Sequence, residues 1–237
     1  MTVPTSLPAT GTYTFSPSAG DLVHYAFSLC NLRRTDLNTA HYADAEMAAN
    51  LAMVELSNSN PLRFARETIA IPLTAGNATY SLPNRVLAVF ITTIATGSGP
   101  TLTERVLGPI SDYQYEAMPT KAQAAPPSSY FFSLLSTPTV TFWPTPDSGG
   151  PYTANVSVFR QMQDVDLTNA QGIDSPYRFL DAYITNVAAR LADSYAPAKA
   201  DGLYARAAQR LTLAQGRDQE STPISIIPAL GSYYRIN

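Results

Sequence analysis

The hydrophobic pattern of this chain changes period twice, and that change limits the folds open to it. After Ser16-Pro17-Ser18, apolar residues recur at steps of three and four. Leu22, Tyr25, Ala26, Leu29 and Leu32 share one helical face, with Ser18 as the expected cap and Asp21 in the first turn. Arg33 and Arg34 suit its last turn. A second helix starts near Asn38 or Thr39. Its alanines 43, 45, 48, 49 and 52 lie among Met47, Leu51, Val54 and Leu56, and Asn58-Ser59-Asn60-Pro61 ends it. From Phe64 the pattern alternates, which is the period of a half-buried strand. It returns to helical spacing after Asp174-Ser175-Pro176, a helix start with a capping residue before proline. Phe179, Leu180, Ile184, Val187, Leu191 and Tyr195 form one stripe. Pro197 breaks it, and Leu203, Ala207, Leu211 and Ala214 form the next, over about Ala198 to Gly216.

Between the helix pairs lie six or seven short strands. Phe64 to Leu73 and Ala78 to Leu82 read as a hairpin around Thr74-Ala75-Gly76-Asn77. Val86 to Ile94 pairs with Thr101 to Leu107, and Tyr130 to Leu135 with Thr139 to Trp143, while Tyr152 to Met162 ends the region. A short helix capped by Ser111 interrupts it. Each helix pair is too short to bury its stripes alone, so the simplest solution packs the two pairs together. The expected class is α+β. An antiparallel helical bundle is built from residues 16–61 and 174–220, and a small antiparallel β-domain, residues 62–173, is inserted into it. Residues 1–15 form an extended Thr/Pro-rich arm and 221–237 a second arm.

The second arm is the unusual one. Ile224, Ile226, Ile227, Leu230, Tyr233 and Tyr234 are crowded together with Arg235, but Pro223, Pro228 and Gly231 deny them a regular helix or strand. A disordered tail is normally poor in such residues. The segment therefore reads as a docking arm buried by another protein, a portal or a neighbouring subunit, rather than as a tail folded onto its own domain. Charged residues make up 14% of the chain, against an ordinary quarter, which leaves little charge to keep free surface in water. Arg178, Arg190, Arg206, Arg210 and Arg217 are candidates for intersubunit or portal salt bridges, the alternative being a solvated helix face. Trp143, with Pro144 and Pro146, reads as a strand-end anchor of the β-domain core.

Other function classes find little support. A net charge of −3 argues against a free nucleic-acid binder. Two histidines, His24 and His41, and the single Cys30 make no metal set at a recognisable spacing, so no cofactor is expected. Glu46 and Glu55 share a helix without forming a general-acid pair. Gly97-Ser98-Gly99 lacks the lysine of a phosphate loop. The opening MTVPTSLPATG has neither the basic nor the apolar segment of a signal peptide.

The order of these elements, with several local signatures, resembles the head-to-tail adaptor proteins of tailed bacteriophages, of the head-completion or tail tubular type. The resemblance runs from about Ser16 to Gln219. It rests on the helix opening Asp21-Leu22-Val23-His24-Tyr25-Ala26, the segment Leu73 to Pro83, and Ile110-Ser111-Asp112-Tyr113 before Met118-Pro119. It rests most on Val140-Thr141-Phe142-Trp143-Pro144-Thr145-Pro146-Asp147, followed by the helix from Pro176-Tyr177 through Asn186 to Ala192. The resemblance implies a noncatalytic virion protein at the head–tail junction, assembled in the host cytoplasm. It would form a cyclic ring of about twelve copies under the portal protein, extend the DNA channel and offer a platform to a tail or nozzle protein. DNA would pass an acidic lumen without sequence-specific binding. Another neck protein, a stopper or tail-completion protein, is the first alternative. A small carbohydrate-binding or hydrolytic module using the β-domain aromatics is the second.

Overall fold

The computed structural model describes residues 15–59, 62–97, 99, 102–168 and 171–218. The chain is α+β. Among the described residues it forms five α-helices and two four-stranded sheets.

Helix α1 (Ala19–Leu29) begins where the cap predicts: Ser18 Oγ accepts the Asp21 N–H at 3.2 Å. It buries Leu22, Val23, Ala26 and Phe27, while Tyr25 turns outward. The helix also stops before Arg33 and Arg34, which fall in or beside a separate 3-10 turn, Arg34–Asp36. The cation at its C-terminus comes from another helix instead. Lys199 Nζ donates to the Leu29 carbonyl at 3.1 Å and to Asn31 Oδ1 at 2.6 Å, where the carbonyl end of the helix dipole favours positive charge. Asn31 itself takes a left-handed conformation (φ 66°), which asparagine tolerates better than most residues.

Helix α2 (Thr39–Ser59) turns its small residues inward. Ala45, Ala48, Ala49 and Ala52 are buried with Met53 and Leu56. Helix α4 (Leu180–Tyr195) is the centre of the helical part: it touches α1, α2 and α5 (Pro197–Arg217) and is buried nearly all round from Ala182 to Ala192. The alanine faces of α2 and α4 let the backbones approach, and the Tyr183 hydroxyl donates to the Ala49 carbonyl of α2 at 3.4 Å. Burial pushes the Tyr183 phenol far above its ordinary pKa. The polar side chains of α4 are satisfied, with Thr185 Oγ1 on the Asp181 carbonyl (2.7 Å) and Asn186 Nδ2 on Glu55 Oε2 (2.9 Å). One hydrophobic cluster joins α1, α2, α4 and α5, and it extends to Leu62, Ala65, Met162 and Val165 where the chain enters and leaves the strand region.

The first sheet orders its strands β1 (Arg66–Leu73), β8 (Tyr152–Arg160), β3 (Val86–Thr96) and β4 (Thr103–Val106), all antiparallel. The second orders β2 (Thr79–Ser81), β7 (Thr139–Trp143), β6 (Ser129–Ser133) and β5 (Gly108–Pro109). Its β5–β6 pair is parallel, so the strand region is mixed rather than purely antiparallel. The two sheets share one core that includes Ile94, Val140, Phe142, Val156 and Val158.

The hairpin expected from Phe64 to Leu82 does not close. β1 pairs with β8 along its whole length, Arg66 opposite Phe159 and Leu73 opposite Tyr152, while β2 belongs to the other sheet on β7. Eight paired residues on β8 outweigh the three that β2 offers. Thr74 to Asn77 is a crossing between sheets. Gly76 takes φ +79° there and donates its N–H to the Pro146 carbonyl (2.9 Å), and the Thr74 N–H donates to the Tyr80 hydroxyl (2.8 Å). The hairpins β3–β4 and β6–β7 form as the alternation predicts. Helix α3 (Asp112–Glu116) is capped by Ser111, whose hydroxyl accepts the Gln114 N–H in a reciprocal box. Trp143 ends β7 half-buried and outside the shared core. Its Nε1 donates to the Thr120 carbonyl at 3.3 Å and so pins the loop after α3.

Asp174 is not a helix cap. A 3-10 turn, Tyr177–Phe179, intervenes before α4, and the Asp174 carboxylate faces the strand region instead. It receives the Arg160 guanidinium (3.0 Å from Nη2) and the Gln163 N–H (3.0 Å). Burial alone would raise the Asp174 pKa. The Arg160 and Gln163 hydrogen bonds and the Arg160 charge outweigh it and hold the carboxyl below the ordinary aspartate value. A depressed folded pKa means that the stability from this joint is present above the unfolded value, about pH 4, and is lost as pH falls through the folded one. The urea midpoint of the wild type should therefore drop more steeply below about pH 4 than that of Asp174→Asn. Parallel acid limbs would show that the joint contributes nothing.

Candidate functional site

The residues able to do chemistry are taken up by packing. His24 Nε2 pairs with the Tyr42 hydroxyl at 2.9 Å, and burial, then the nearby Arg34 charge, lowers its pKa. His41 bonds Asn38 and stacks on Tyr195. Cys30 is buried with its thiol on the Ala188 carbonyl (3.4 Å), and burial pushes the thiol up, away from the reactive thiolate. Among the described residues no group of three or more His, Cys, Asp and Glu could hold a metal ion. No helix among them is long and apolar enough to cross a membrane.

The surface is where the structure departs from an ordinary domain. On α2 three large apolar residues face out, opposite the buried Ala45, Ala48, Ala49, Ala52, Met53 and Leu56: Met47 is 63% exposed, Leu51 44% and Val54 42%. Their spacing of four and three makes a continuous apolar stripe on one side of the helix. Spacing alone, which suits either face of α2, does not reveal this stripe. The signal was the choice of alanine at 45, 48, 49 and 52, which marks the side where a neighbouring helix comes close. Helix α2 also carries Asp44, Glu46 and Glu55 with no lysine or arginine. Helix α5 is its opposite in charge, with Lys199, Arg206, Arg210 and Arg217 against a single carboxylate, Asp201. Leu213 is exposed on α5 one and two turns from Arg217, Arg210 and Arg206.

The five arginines divide into two groups. Arg178 pairs with Asp218 and lies over the Phe64 and Phe179 rings. Arg190 pairs with Glu55 (2.6 Å) and Asn186, and Arg210 with Asp181 (2.6 Å) and Thr185. The Glu55 carboxyl is raised by burial but lowered more by Asn186 and Arg190, so it stays ionised. Arg206 and Arg217 are exposed and make no ion pair among the described residues.

A second surface lies between the starts of α1 and α4, a cleft of about 760 Å³. Its walls are Phe15, Leu22, Tyr25, Tyr177, Leu180 and Ile184, with Asp21, Arg178 and Asp181 at the rim. Phe15 and Tyr177 stand exposed and edge to face, 6.2 Å between centroids. Phe15 is the first described residue, and Asp218, the last, bonds the rim residue Arg178 and accepts the Arg63 N–H at 2.7 Å. The arm residues Ile224, Ile226, Ile227, Leu230, Tyr233, Tyr234 and Arg235 lie outside the described residues.

The described residues thus form a tight helical core, a strand region tied to it through Asp174, and apolar and oppositely charged surfaces. No curated protein matches the chain. The family model described as SU10 adaptor protein matches residues 21–226, from the first turn of α1 into the second arm. With the matched region spanning every helix and both sheets, the chain belongs to the SU10 adaptor protein family of phage head–tail adaptors.

Proposed function

We propose that this chain is a noncatalytic ring subunit that binds the portal of a DNA-filled head, links it to the tail and extends the DNA channel. The observation that carries this reading is the second apolar side of α2, with Met47, Leu51 and Val54 exposed while Ala45, Ala48, Ala49, Ala52, Met53 and Leu56 are buried. Large apolar groups on a helix already packed on its other side need a further partner. A second copy fits that need. The acidic α2 face of one subunit meets the basic α5 face of the next, with Leu213 against the stripe and Arg206 and Arg217 facing Asp44, Glu46 and Glu55. Different faces meeting head to tail close into a ring when the rotation allows, here about twelve copies to follow a portal. Arg178, Arg190 and Arg210 keep their own partners within the subunit and brace the faces that meet.

In this reading the helical parts 16–61 and 174–220 form the bundle that docks, and residues 62–173 are the inserted module that faces the tail or nozzle protein. The arm of residues 222–237 engages the portal or a neighbouring subunit, where main-chain pairing and alternate side-chain pockets suit an extended apolar segment. A net charge of −3 on every subunit gives the ring an acidic excess that lets DNA slide without sticking. Assembly takes place in the host cytoplasm and the product stays in the virion. Size-exclusion chromatography of the purified chain with and without the portal tests the reading. Co-elution is expected, and two separate peaks at every mixing ratio would sink it.

A further inference from the structure

We infer that β4 of one copy and β1 of the next pair as antiparallel strands, so that neighbouring subunits share one sheet. The inference rests on the head-to-tail ring reading and adds a second contact between the same neighbours. Both strands are edges of the first sheet: β1 lies at one side of the order β1-β8-β3-β4 and β4 at the other. Among the described residues, the main chain of Glu67 to Ile71 pairs only with β8, and that of Thr103 to Val106 only with β3. An open edge is a template for another chain, and proteins usually keep it short. The second sheet does so, since its edges β2 and β5 have three and two residues. β1 has eight, alternately exposed and half-buried along its length.

Three features name a second copy as the occupant. Strand direction is the first. Every pair in this sheet is antiparallel, so with four strands the two edges run in opposite directions. A copy laid beside the first without being turned over brings its β1 antiparallel to β4, and identical copies extend the sheet head to tail. The face is the second. Glu67 lies opposite Val158 and Arg105 opposite Ile94, which puts both on the core side of the sheet. Arg66 and Thr68, like Glu104 and Val106, alternate onto the other side. Registers that match these faces set Arg105 against Glu67, Ile69 or Ile71. Charge is the third feature and selects among them. Arg66 lies over the Phe90 ring, Glu104 accepts Asn155 Nδ2 at 3.2 Å, and Arg105 reaches the Pro127 carbonyl. None of the three makes an ion pair among the described residues. With Arg105 opposite Glu67, Arg66 falls diagonal to Glu104, so opposite charges meet on both faces. The other two registers set Arg105 against isoleucine, and the last of them also engages Pro72, which has no N–H to donate. Two copies joined β1 to β1 would leave Glu104 and Arg105 unmatched.

The test is disulfide trapping in the full-length chain assembled on the portal, with Ile69→Cys and Thr103→Cys in the same molecule. These positions face each other across the inferred contact and leave all four charges in place. Within one copy they are three strand spacings apart, at least about 14 Å, too far for an internal bond, and Cys30 is buried. Oxidation should give a ladder of covalent multimers. Ile71→Cys/Thr103→Cys, slipped by two residues, should give almost none. A ring visible by negative-stain electron microscopy without a ladder would overturn the strand pairing and leave the ring reading standing, whereas a chain that never joins the portal would defeat both. Covalent dimers from Ile69→Cys alone would show β1 pairing with itself and overturn the inference. A charge exchange reads the same contact without cysteines. Glu104→Arg should lower the yield of portal-bound rings several-fold, and Arg66→Glu added in the same chain should restore it. A double variant no better than Glu104→Arg would also overturn the inference.

Discussion

Removing residues 222–237 should leave a folded, soluble subunit that no longer joins the portal. The two halves of this result come from different parts of the chain. Every side chain of the helical core lies between Ala19 and Ala214, and the strand-region core lies between Leu82 and Val158, so neither loses a contact within itself. Asp218 must stay, because it pins the end of α5 to Arg63 and Arg178. The lost binding is large. Six buried Ile, Leu and Tyr side chains represent about 1.5–3 kcal/mol each of gross burial. Much of that is consumed in ordering the arm. A surplus of about 3–4 kcal/mol still corresponds to a loss of about 100- to 1000-fold in affinity. Circular dichroism and a denaturant titration check the fold, and biosensor binding to immobilised portal checks the affinity. A truncated chain that binds within a few-fold of the wild type would remove the arm from the interface.

The second large effect is expected at Leu51→Lys. Leu51 is already partly exposed and lysine is about as good a helix former as leucine, so the free subunit should keep its stability to within about 0.5 kcal/mol. At the proposed ring contact the same change sets a cation against Arg206 and Arg217. Burying it without a partner costs several kcal/mol per ion, and the cost recurs at every contact around the ring. Portal-bound rings should disappear and leave scattered single copies at most. The reversed charges Arg206→Glu and Arg217→Glu, without the Leu51 change, should also weaken assembly, because they set carboxylates against Asp44, Glu46 and Glu55. Normal rings from Leu51→Lys alone would place the subunit contact elsewhere.

The parts of this structure that are legible in the sequence are those decided locally. Ser18 and Ser111 can be read as caps because a cap involves only the next three residues, and Pro197 at the start of α5 is local for the same reason. The partner of β1 is not legible. Nothing near Arg66 says that it pairs with Phe159, and the turn at Thr74 to Asn77 suits a hairpin as well as a crossing between sheets. Asp174 and Arg33 mislead in one way: each suits a helix end by type, but Asp174 is drawn to Arg160, and Lys199 supplies the charge at the end of α1. The outward stripe of α2 depends on where α4 lies, which spacing within α2 cannot reveal. The partners of the five arginines are likewise long-range. Glu55 with Arg190 and Asp218 with Arg178 come from elements distant in the chain, and only the structure separates them from Arg206 and Arg217.

The most direct test of the connector reading is electron cryo-microscopy of the purified portal mixed with this chain. The account predicts a closed ring of the chain on the portal axis, α2 of each copy against α5 of the next, its lumen continuous with the portal channel. Copies bound singly or off the axis, or a ring whose neighbours meet through other faces while α2 stays bare, would contradict it.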